Sequence, residues 1–366
     1  MSIRRYNLLT LDVCGKALRF LILILPIVFL PACSPIGPNT VPRDRFEYTD
    51  AISESWKKQM LLNIVKIRYA DAPVFLDVSS IISQYALETE LQASLKYDAR
   101  NNQMLFGRGK YTDRPTVTYN PLTGEKFTRN ILTPIPPTAI LNLIQGGWPV
   151  DRVFATCVKS INGIDNRAGS PAFLQEADPE FYKLISELRA IQQAGGVGVR
   201  LVKEEGVVKS IIFFEGINDQ DVNQRLLRLK KSLNLSPDTN EYHLVYARTQ
   251  RLQTEVAILS RSLMEIMLEL STYIDIPQKE LSEGRILPTL DRAIEENAGI
   301  PSLIRIHSSS NEPSDAYLSV RYRDYWFYID DKEPRSKGML TFIMILFNLA
   351  ETGGPIQAPL VTIPVG

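Results

Sequence analysis

The chain has 366 residues, of which 41 are basic and 41 acidic, so its formal net charge at pH 7 is zero. This balance gives no electrostatic reason to expect a nucleic-acid partner or adsorption to an anionic surface. The length suffices for one large domain or two ordinary ones with a substantial core. With only three cysteines, the chain is not a disulfide scaffold and must be stabilised by packing.

The first 32 residues have the pattern of an export signal. Four basic residues precede a continuous apolar run over residues 20–30. A run of this length is typical of a signal sequence and is shorter than the ~20 residues that a membrane-spanning helix needs. Residues 1–32 are therefore predicted to be a signal peptide.

The apolar run ends in Leu30, Pro31, Ala32 and Cys33. This segment resembles the lipobox of bacterial lipoproteins, with Leu30 at position −3, Ala32 at −1 and Cys33 as the first mature residue. Pro31 departs from the usual residue at −2. The resemblance implies that the Cys33 thiol receives a diacylglyceryl group, that signal peptidase II cleaves before it, and that the new amino group is acylated, as with palmitate. The alternative is an ordinary cleaved signal in which Cys33 is incidental.

The residue after Cys33 predicts the membrane that receives the anchor. Ser34 follows Cys33 where an aspartate could stand, and this resembles the pattern of Gram-negative lipoproteins that reach the cell outer membrane. Two or more acyl chains make a stable anchor. The resemblance therefore implies a lipoprotein that is held in the outer membrane and faces the periplasm, with the lipid bilayer as a partner through acylated Cys33.

Processing would also define the remaining charge and thiols. Cleavage before Cys33 would remove four basic residues and one acidic residue, which leaves a net charge of −3. Cys14 would leave with the signal peptide, so Cys157 would be the one thiol besides the lipidated Cys33. Cys157 lies among apolar neighbours, and a free cysteine commonly behaves as a small buried hydrophobe. We expect no disulfide and a buried, unreactive Cys157.

Changes in composition along the chain indicate four segments. Residues 33–45 contain three prolines and little to bury, so they are predicted to be an extended tether. Residues 162–172 are loop-like and indicate a boundary near residue 165. The predicted segments are the signal peptide at 1–32, the tether at 33–45, an N-terminal region of helices and strands at 46–165, and an α+β C-terminal region at 166–366.

Hydrophobic periodicity predicts the elements of the first half. Apolar residues recur every three or four positions from Ile52 to Ile67, which indicates an amphipathic helix that begins near Asp50. The spacing of apolar residues predicts a second helix over residues 73–95. The other predicted elements are strands at 115–119 and 125–129 around a turn at 120–124, and a short helix at 137–145.

The second half alternates more regularly between helices and strands. Its longest apolar stripe runs through residues 254–274 and predicts a helix that ends at Pro277. The other predicted elements are helices at 178–194 and 219–233, a hairpin of strands at 197–202 and 207–214, strands at 242–247, 302–307 and 316–329, the last folded at Arg323 and Asp324, and an edge segment at 356–366.

Residues 339–350 are apolar nearly all round. At ~1.5 Å per residue they are too short to cross a membrane, so we predict a buried core helix with Phe342, Ile345, Leu346 and Leu349 inside. Together the elements predict an α+β fold, with helices packed on a mostly antiparallel sheet and a more helical N-terminal half.

Residues that could carry chemistry are sparse. The two histidines, His243 and His307, have no cysteine, aspartate or histidine at ligand spacing, so neither a metal nor a cofactor is predicted. His243 lies in an alternating strand pattern and is expected to be half-buried and structural. No Gly-x-Ser-x-Gly motif marks a nucleophile, although the members of a Ser-His-Asp triad need not be close in the chain. The sequence names no catalytic residue.

One cluster is a candidate contact surface for a protein partner. It consists of Arg321, Arg323, Tyr325 and Trp326, and Tyr, Trp and Arg are enriched at binding hot spots. The same residues suit a core hairpin in which arginine stems cover ring faces, and alternation along the strand accounts for the aromatics. The sequence leaves both interpretations open.

These observations predict the cellular location of the protein but not its activity. The body of the chain resembles proteobacterial envelope lipoproteins of unassigned activity, which implies no reaction. The expected function is a non-enzymatic binding or assembly component of the cell envelope, with an envelope protein as partner. The alternative is an envelope or cell-wall hydrolase that uses carboxylates as acid and base. A pocket lined by paired carboxylates would favour the hydrolase, and a flat aromatic face would favour the binding protein.

Overall fold

The computed structural model describes residues 36–82, 85–94, 104–113, 116–170, 173–204, 207–215, 219–288 and 302–351. Helices and strands both make up this part of the chain, and the strands pair mostly antiparallel, so the protein has the predicted α+β fold. Cys33 and the segment at 356–366 lie outside the described residues, so what was predicted of them stays a prediction.

Elements are numbered in chain order. The helices are α1 (Ile36–Arg68), α2 (Gly124–Phe127), α3 (Pro137–Gln145), α4 (Val150–Cys157), α5 (Pro179–Gln193), α6 (Gln220–Ser232), α7 (Leu263–Ser271), α8 (Gln278–Ser282) and α9 (Pro334–Glu351), with a π-helical turn at Thr128–Leu132. The strands are β1 (Leu76–Ile82), β2 (Tyr85–Ser94), β3 (Met104–Asp113), β4 (Thr116–Pro121), β5 (Val158–Ile161), β6 (Ile164–Asp165), β7 (Ala168–Ser170), β8 (Phe173–Gln175), β9 (Val197–Glu204), β10 (Val207–Phe214), β11 (Glu241–Val245), β12 (Glu255–Ser260), β13 (His307–Ser309), β14 (Ala316–Tyr322) and β15 (Tyr325–Asp330).

The chain divides into two compact units. Unit 1 consists of Met1–Ile52 and Ser80–Thr118, and its described part holds the antiparallel pair of β2 and β3. Unit 2 consists of Ser53–Ser79 and Tyr119–Gly366 and contains the buried hydrophobic core. Every residue of the candidate site belongs to unit 2.

A six-stranded sheet forms the centre of unit 2, with the strand order β6-β5-β12-β11-β10-β9. Neighbouring strands are antiparallel except β11 and β12, which run parallel. Helices α3 and α5 pack on this sheet. A second, antiparallel sheet has the order β13-β15-β14, and its β14–β15 hairpin turns at the predicted Arg323 and Asp324.

Several predicted elements are confirmed. The helix predicted at 137–145 is α3, that at 178–194 is α5, and that at 219–233 is α6. The predicted hairpin is the antiparallel pair of β9 and β10, and the strand predicted at 242–247 is β11. Each of these elements has its own local signal. For example, the Asp219 carboxylate accepts hydrogen bonds from the first backbone N–H groups of α6.

The extended conformation predicted for residues 33–45 is wrong from Ile36 onward, because α1 begins there. Pro38 lies in the first turn, where its missing N–H has no partner within the helix to lose. Pro42 lies inside α1 and removes one backbone hydrogen bond of the helix. Later turns of α1 bury Met60, Leu61 and Ile64. Because helix growth is cooperative, this packed part favours extension of the helix toward Ile36.

Four more predictions are wrong. Two of them fail because strand pairing is a long-range property. Residues 73–95 form strands β1 and β2, and β2 pairs with the distant β3. The helix predicted at 254–274 is the strand β12 followed by the shorter helix α7. The strand predicted at 125–129 is helical, whereas the strand predicted at 115–119 is β4. The strand predicted at 302–307 begins only at His307. Short apolar runs do not distinguish strand from buried helix by spacing alone.

The apolar helix predicted at 339–350 is α9, which begins earlier, at Pro334. Its Met339, Leu340, Phe342 and Leu346 are buried, as predicted for the core. Ile345 is only half-buried, and the prediction is wrong for Leu349, which is 41% exposed although it lies on the same side of α9 as Phe342 and Leu346, in the last turn of the helix. None of the helices in the described part of the chain is both long and apolar enough to cross a membrane.

Cys157 ends α4 and is completely buried, as predicted. Burial raises the pKa of its thiol to about 12, so almost no thiolate exists at neutral pH. We therefore expect a thiol reagent at pH 7.5 to label Cys157 slowly in the folded full chain and rapidly in denaturant, as followed by mass spectrometry. Equal rates in the two conditions would contradict the buried position.

Candidate functional site

A surface cleft in unit 2 encloses about 170 Å³. Its walls come from the loop that precedes α4, from α4, from α5, from the segment at residues 302–303, and from the first turns of α9. The residues that determine its chemistry are Trp148, Asp151, Arg152, Arg335, Met339 and Phe342. The cleft therefore combines apolar and charged side chains.

The floor of the cleft is aromatic. The ring centroids of Trp148 and Phe342 lie 4.7 Å apart with the planes at 44°. Phe342 and Met339 are buried, whereas Trp148 is half-buried and keeps part of its ring open to the cleft. Gly147 directly before Trp148 has φ +93°, a conformation that glycine adopts without strain, and it turns the chain between α3 and α4. This turn positions the Trp148 indole ring in the lining of the cleft.

The rim of the cleft carries two exposed arginines, Arg152 and Arg335. Neither guanidinium group makes a hydrogen bond or an ion pair with any residue in the described part of the chain. Each arginine lies in the first turn of a helix, where the positive end of the helix dipole disfavours a cation. The charges of Arg152 and Arg335 therefore do not stabilise their helices. Both guanidinium groups are exposed, so an anion can reach them.

The loop that carries Trp148 is held in place from α5. The Gln192 side chain donates from Nε2 to the carbonyl oxygen of Trp148 at 2.9 Å and accepts from the backbone N–H of Val150 at 3.0 Å. Arg189 donates to the same Gln192 oxygen at 2.7 Å. The Arg189 Nε also lies 3.6 Å from Oδ1 of Asp151, which balances the one carboxylate in the cleft. The site is preformed.

The start of α9 is held by a histidine between two carboxylates. His307 Nδ1 lies 3.0 Å from Oδ2 of Asp275, and Nε2 lies 3.0 Å from Oε1 of Glu333. Ser336 donates to the other Glu333 oxygen at 3.0 Å. Since both carboxylates only accept, the imidazole must donate from both nitrogens, which requires its protonated form. Its hydrogen bond to Asp275 raises the pKa of His307 against the opposing effect of burial, and Glu333 adds to the increase.

This histidine bridge predicts a pH-dependent stability. The raised pKa of His307 means that the folded state holds the proton more tightly than the unfolded state, in which the pKa is near 6.5. The bridge therefore stabilises fully below about pH 6.5, and its contribution is lost as the pH rises through the folded-state pKa. We expect His307→Gln to lower the free energy of unfolding more at pH 6 than at pH 8.5, as measured in denaturant. An equal loss at both pH values would contradict the bridge.

The cluster predicted as a partner contact lies on the β14–β15 hairpin, and none of its four residues lines the cleft. Arg323 is in the turn, 4.6 Å from the Tyr69 ring and 3.3 Å from Glu280. Tyr325 packs against the core. Trp326 is half-buried and pairs across the strands with the exposed Arg321. Whether this cluster contacts a partner stays a prediction.

His243 lies on β11 and is half-buried, as predicted. No group of three or more His, Cys, Asp or Glu side chains among the described residues is arranged to hold a metal ion. Comparison of the chain with protein-family models, with curated proteins and with solved structures finds no match.

Proposed function

We propose that the protein is a lipid-anchored, periplasm-facing binding component of the cell envelope. Cys33 attaches it to the outer membrane, and the cleft with Arg152 and Arg335 on its rim binds its partner. One observation supports the binding role above all: two guanidinium groups that have no partner among the described residues border a cleft with apolar lining. Arginine is well suited to binding anionic groups, and these two form no ion pair within the described part of the chain.

The cleft supports binding better than hydrolysis. A hydrolase with carboxylate acid and base needs two carboxyl groups, on opposite sides of the bond that breaks and ~5–9.5 Å apart. Asp151 is the one carboxylate among the described residues that line the cleft. The basic rim would also attract an anion and does nothing for the transfer of a proton. No observation therefore favours the hydrolase as a second candidate.

The anchor is tested by labelling cells that express the full chain with a palmitate analogue. We expect the wild-type protein to incorporate the label and Cys33→Ser to lose it and to keep its signal peptide, because the lipidated thiol is the substrate for cleavage. Cys14→Ser is the matched control, since Cys14 lies in the predicted signal peptide and its loss leaves the lipobox intact. An unlabelled wild-type protein with a free mature N-terminus would show that the anchor is wrong.

A further inference from the structure

We propose that the cleft binds a carboxylate that stands next to an apolar group, which is the chemistry of an apolar residue at the C-terminus of a polypeptide. This inference rests on the proposed function and names the ligand of the same site. It follows from the charge, the floor, the size and the rigidity of the cleft.

Charge selects an anion. The described lining carries two guanidinium groups, of Arg152 and Arg335, and one carboxylate, of Asp151, which Arg189 already balances. The planar fork of a guanidinium matches the two oxygens of a planar carboxylate. We therefore take a carboxylate as the ligand, and inorganic phosphate is its competitor in the test below.

The floor selects an apolar neighbour for that carboxylate. The half-buried Trp148 ring, tilted against Phe342, leaves an apolar surface in the same cleft as the two arginines. Covering this surface with an aliphatic or aromatic group removes apolar area from water. Acetate, which has no large apolar group, would leave this apolar surface exposed to water. Affinity should therefore depend on both parts of the ligand.

Size limits how much of the ligand enters. Sites that enclose an entire drug-sized molecule measure ~300–1,000 Å³, and this cleft encloses about 170 Å³. It has room for about one residue, with the rest of the ligand outside. A free small acid and a chain terminus share this chemistry, so the experiment must separate them.

Rigidity of the site makes recognition of so small a group feasible. Gln192 holds the loop of Trp148 through two hydrogen bonds, and Ser336 and His307 hold Glu333 at the start of α9, two residues before Arg335. A preformed site loses little conformational freedom when the ligand binds. The cleft therefore needs no rearrangement to accept its ligand.

Isothermal titration calorimetry tests the ligand chemistry on the mature full chain in non-ionic detergent. The probes are N-acetyl-L-phenylalanine, its amide, acetate and inorganic phosphate. We expect the acid to bind, and the amide and acetate to bind at least about tenfold more weakly, because each lacks one of the two parts. Phosphate should not displace the acid. Equal binding of acid and amide, or tighter binding of phosphate, would overturn the proposal.

Two substitutions locate the site. We expect Arg152→Gln and Arg335→Gln each to weaken binding of the acid by about tenfold or more, with unchanged thermal unfolding because both side chains are exposed. Arg251→Gln is the matched control, since Arg251 is also exposed in unit 2 and lies outside both the cleft and the hairpin cluster. Arg321→Gln tests the hairpin cluster: if it alone weakened binding, the β14–β15 hairpin would be the site and the cleft would not.

The source of the carboxylate is decided with a pentapeptide that ends in phenylalanine. Binding at least as tight as that of N-acetyl-L-phenylalanine supports a polypeptide terminus as the ligand. Binding tenfold weaker would overturn the polypeptide source and assign the cleft to a free acid. None of these measurements depends on acylation, so the loss of palmitate labelling and the loss of acid binding would be separate failures.

Discussion

Glu269→Gln is expected to lower the free energy of unfolding by about 3–5 kcal/mol, the cost of leaving one buried charge without its partner. Glu269 on α7 and Arg167 before β7 form an ion pair at 3.1 Å, and their side chains are only 3% and 4% exposed. The substitution keeps the shape of the side chain, so it creates no cavity. An arginine does not lose its proton in a protein, so the buried Arg167 charge would remain.

The surroundings of Arg167 explain why the pair is tightly constrained. Its guanidinium donates to the Tyr273 hydroxyl at 2.9 Å and to Oγ1 of Thr272 at 3.1 Å, and it stacks on the Tyr273 ring at 4.8 Å. Arg261 in turn donates to the carbonyl oxygens of Arg167 and Thr156. Because Thr156 belongs to α4, this network also holds the helix whose first turn carries Arg152 of the cleft. The buried network around Arg167 and Glu269 thus helps to fix α4, and with it the backbone of Arg152 in the cleft.

Urea unfolding of the full chain, followed by tryptophan fluorescence, measures the loss. The matched control is Glu180→Gln, since Glu180 pairs with Lys183 at 2.9 Å but is 54% exposed, and we expect a loss below about 1 kcal/mol there. The double variant Arg167→Met with Glu269→Leu should recover most of the stability, because an apolar pair needs no charge compensation. Equal losses for Glu269→Gln and Glu180→Gln would contradict the buried pair.

The sequence predicted best the elements whose signals are local. Asp219 caps α6 and β9 reverses directly into β10, so neither prediction needed a distant residue. Strand β12 shows the opposite case. It lies between β5 and β11 with Val256, Ala257 and Ile258 buried, so it has no polar face and its apolar run joins that of α7. A strand covered on both faces lacks the alternation that marks a strand.

A boundary signal between β12 and α7 was nevertheless present. Ser262 and Glu265 form a capping box, in which Ser262 accepts from the Glu265 N–H and Glu265 accepts from the Ser262 N–H. A Ser-x-x-Glu pattern directly before an apolar run marks the start of a helix. The capping box predicts a helix that begins at residue 263, whereas the apolar stripe alone predicts one continuous helix.

The cleft could not be predicted from the sequence, because its parts meet only in the fold. Trp148 and Arg152 are almost two hundred residues from Arg335 and Phe342 along the chain. The same holds for His307, whose carboxylate partners lie 32 and 26 residues away. One local signal did exist for the arginines. Arg335 directly follows Pro334 at the start of α9, where the dipole disfavours a cation, and an unfavourable placement indicates a role other than stability.

Leu346→Ala should have the second largest effect, a loss of about 2–5 kcal/mol in the free energy of unfolding. Leu346 lies on α9, is 2% exposed and belongs to the main hydrophobic core. Helix α9 packs against α7 and the π-helical turn, so the truncated side chain would leave a cavity that these neighbours only partly fill. Urea unfolding of the full chain measures the loss.

Leu349→Ala is the matched control, because the same change on the same helix removes a side chain that is 41% exposed, and we expect a clearly smaller loss. A larger loss at Leu349 than at Leu346 would contradict the burial of Leu346 in the core. Unchanged stability of Leu346→Ala, together with lost binding to liposomes, would make α9 a membrane-contacting surface. The helix is poorly suited to that role, because its last turn has no basic residue and its cations, Arg335 and Lys337, lie only at its start. An interfacial helix needs cations along its polar face, so the buried side of α9 is best explained by the core.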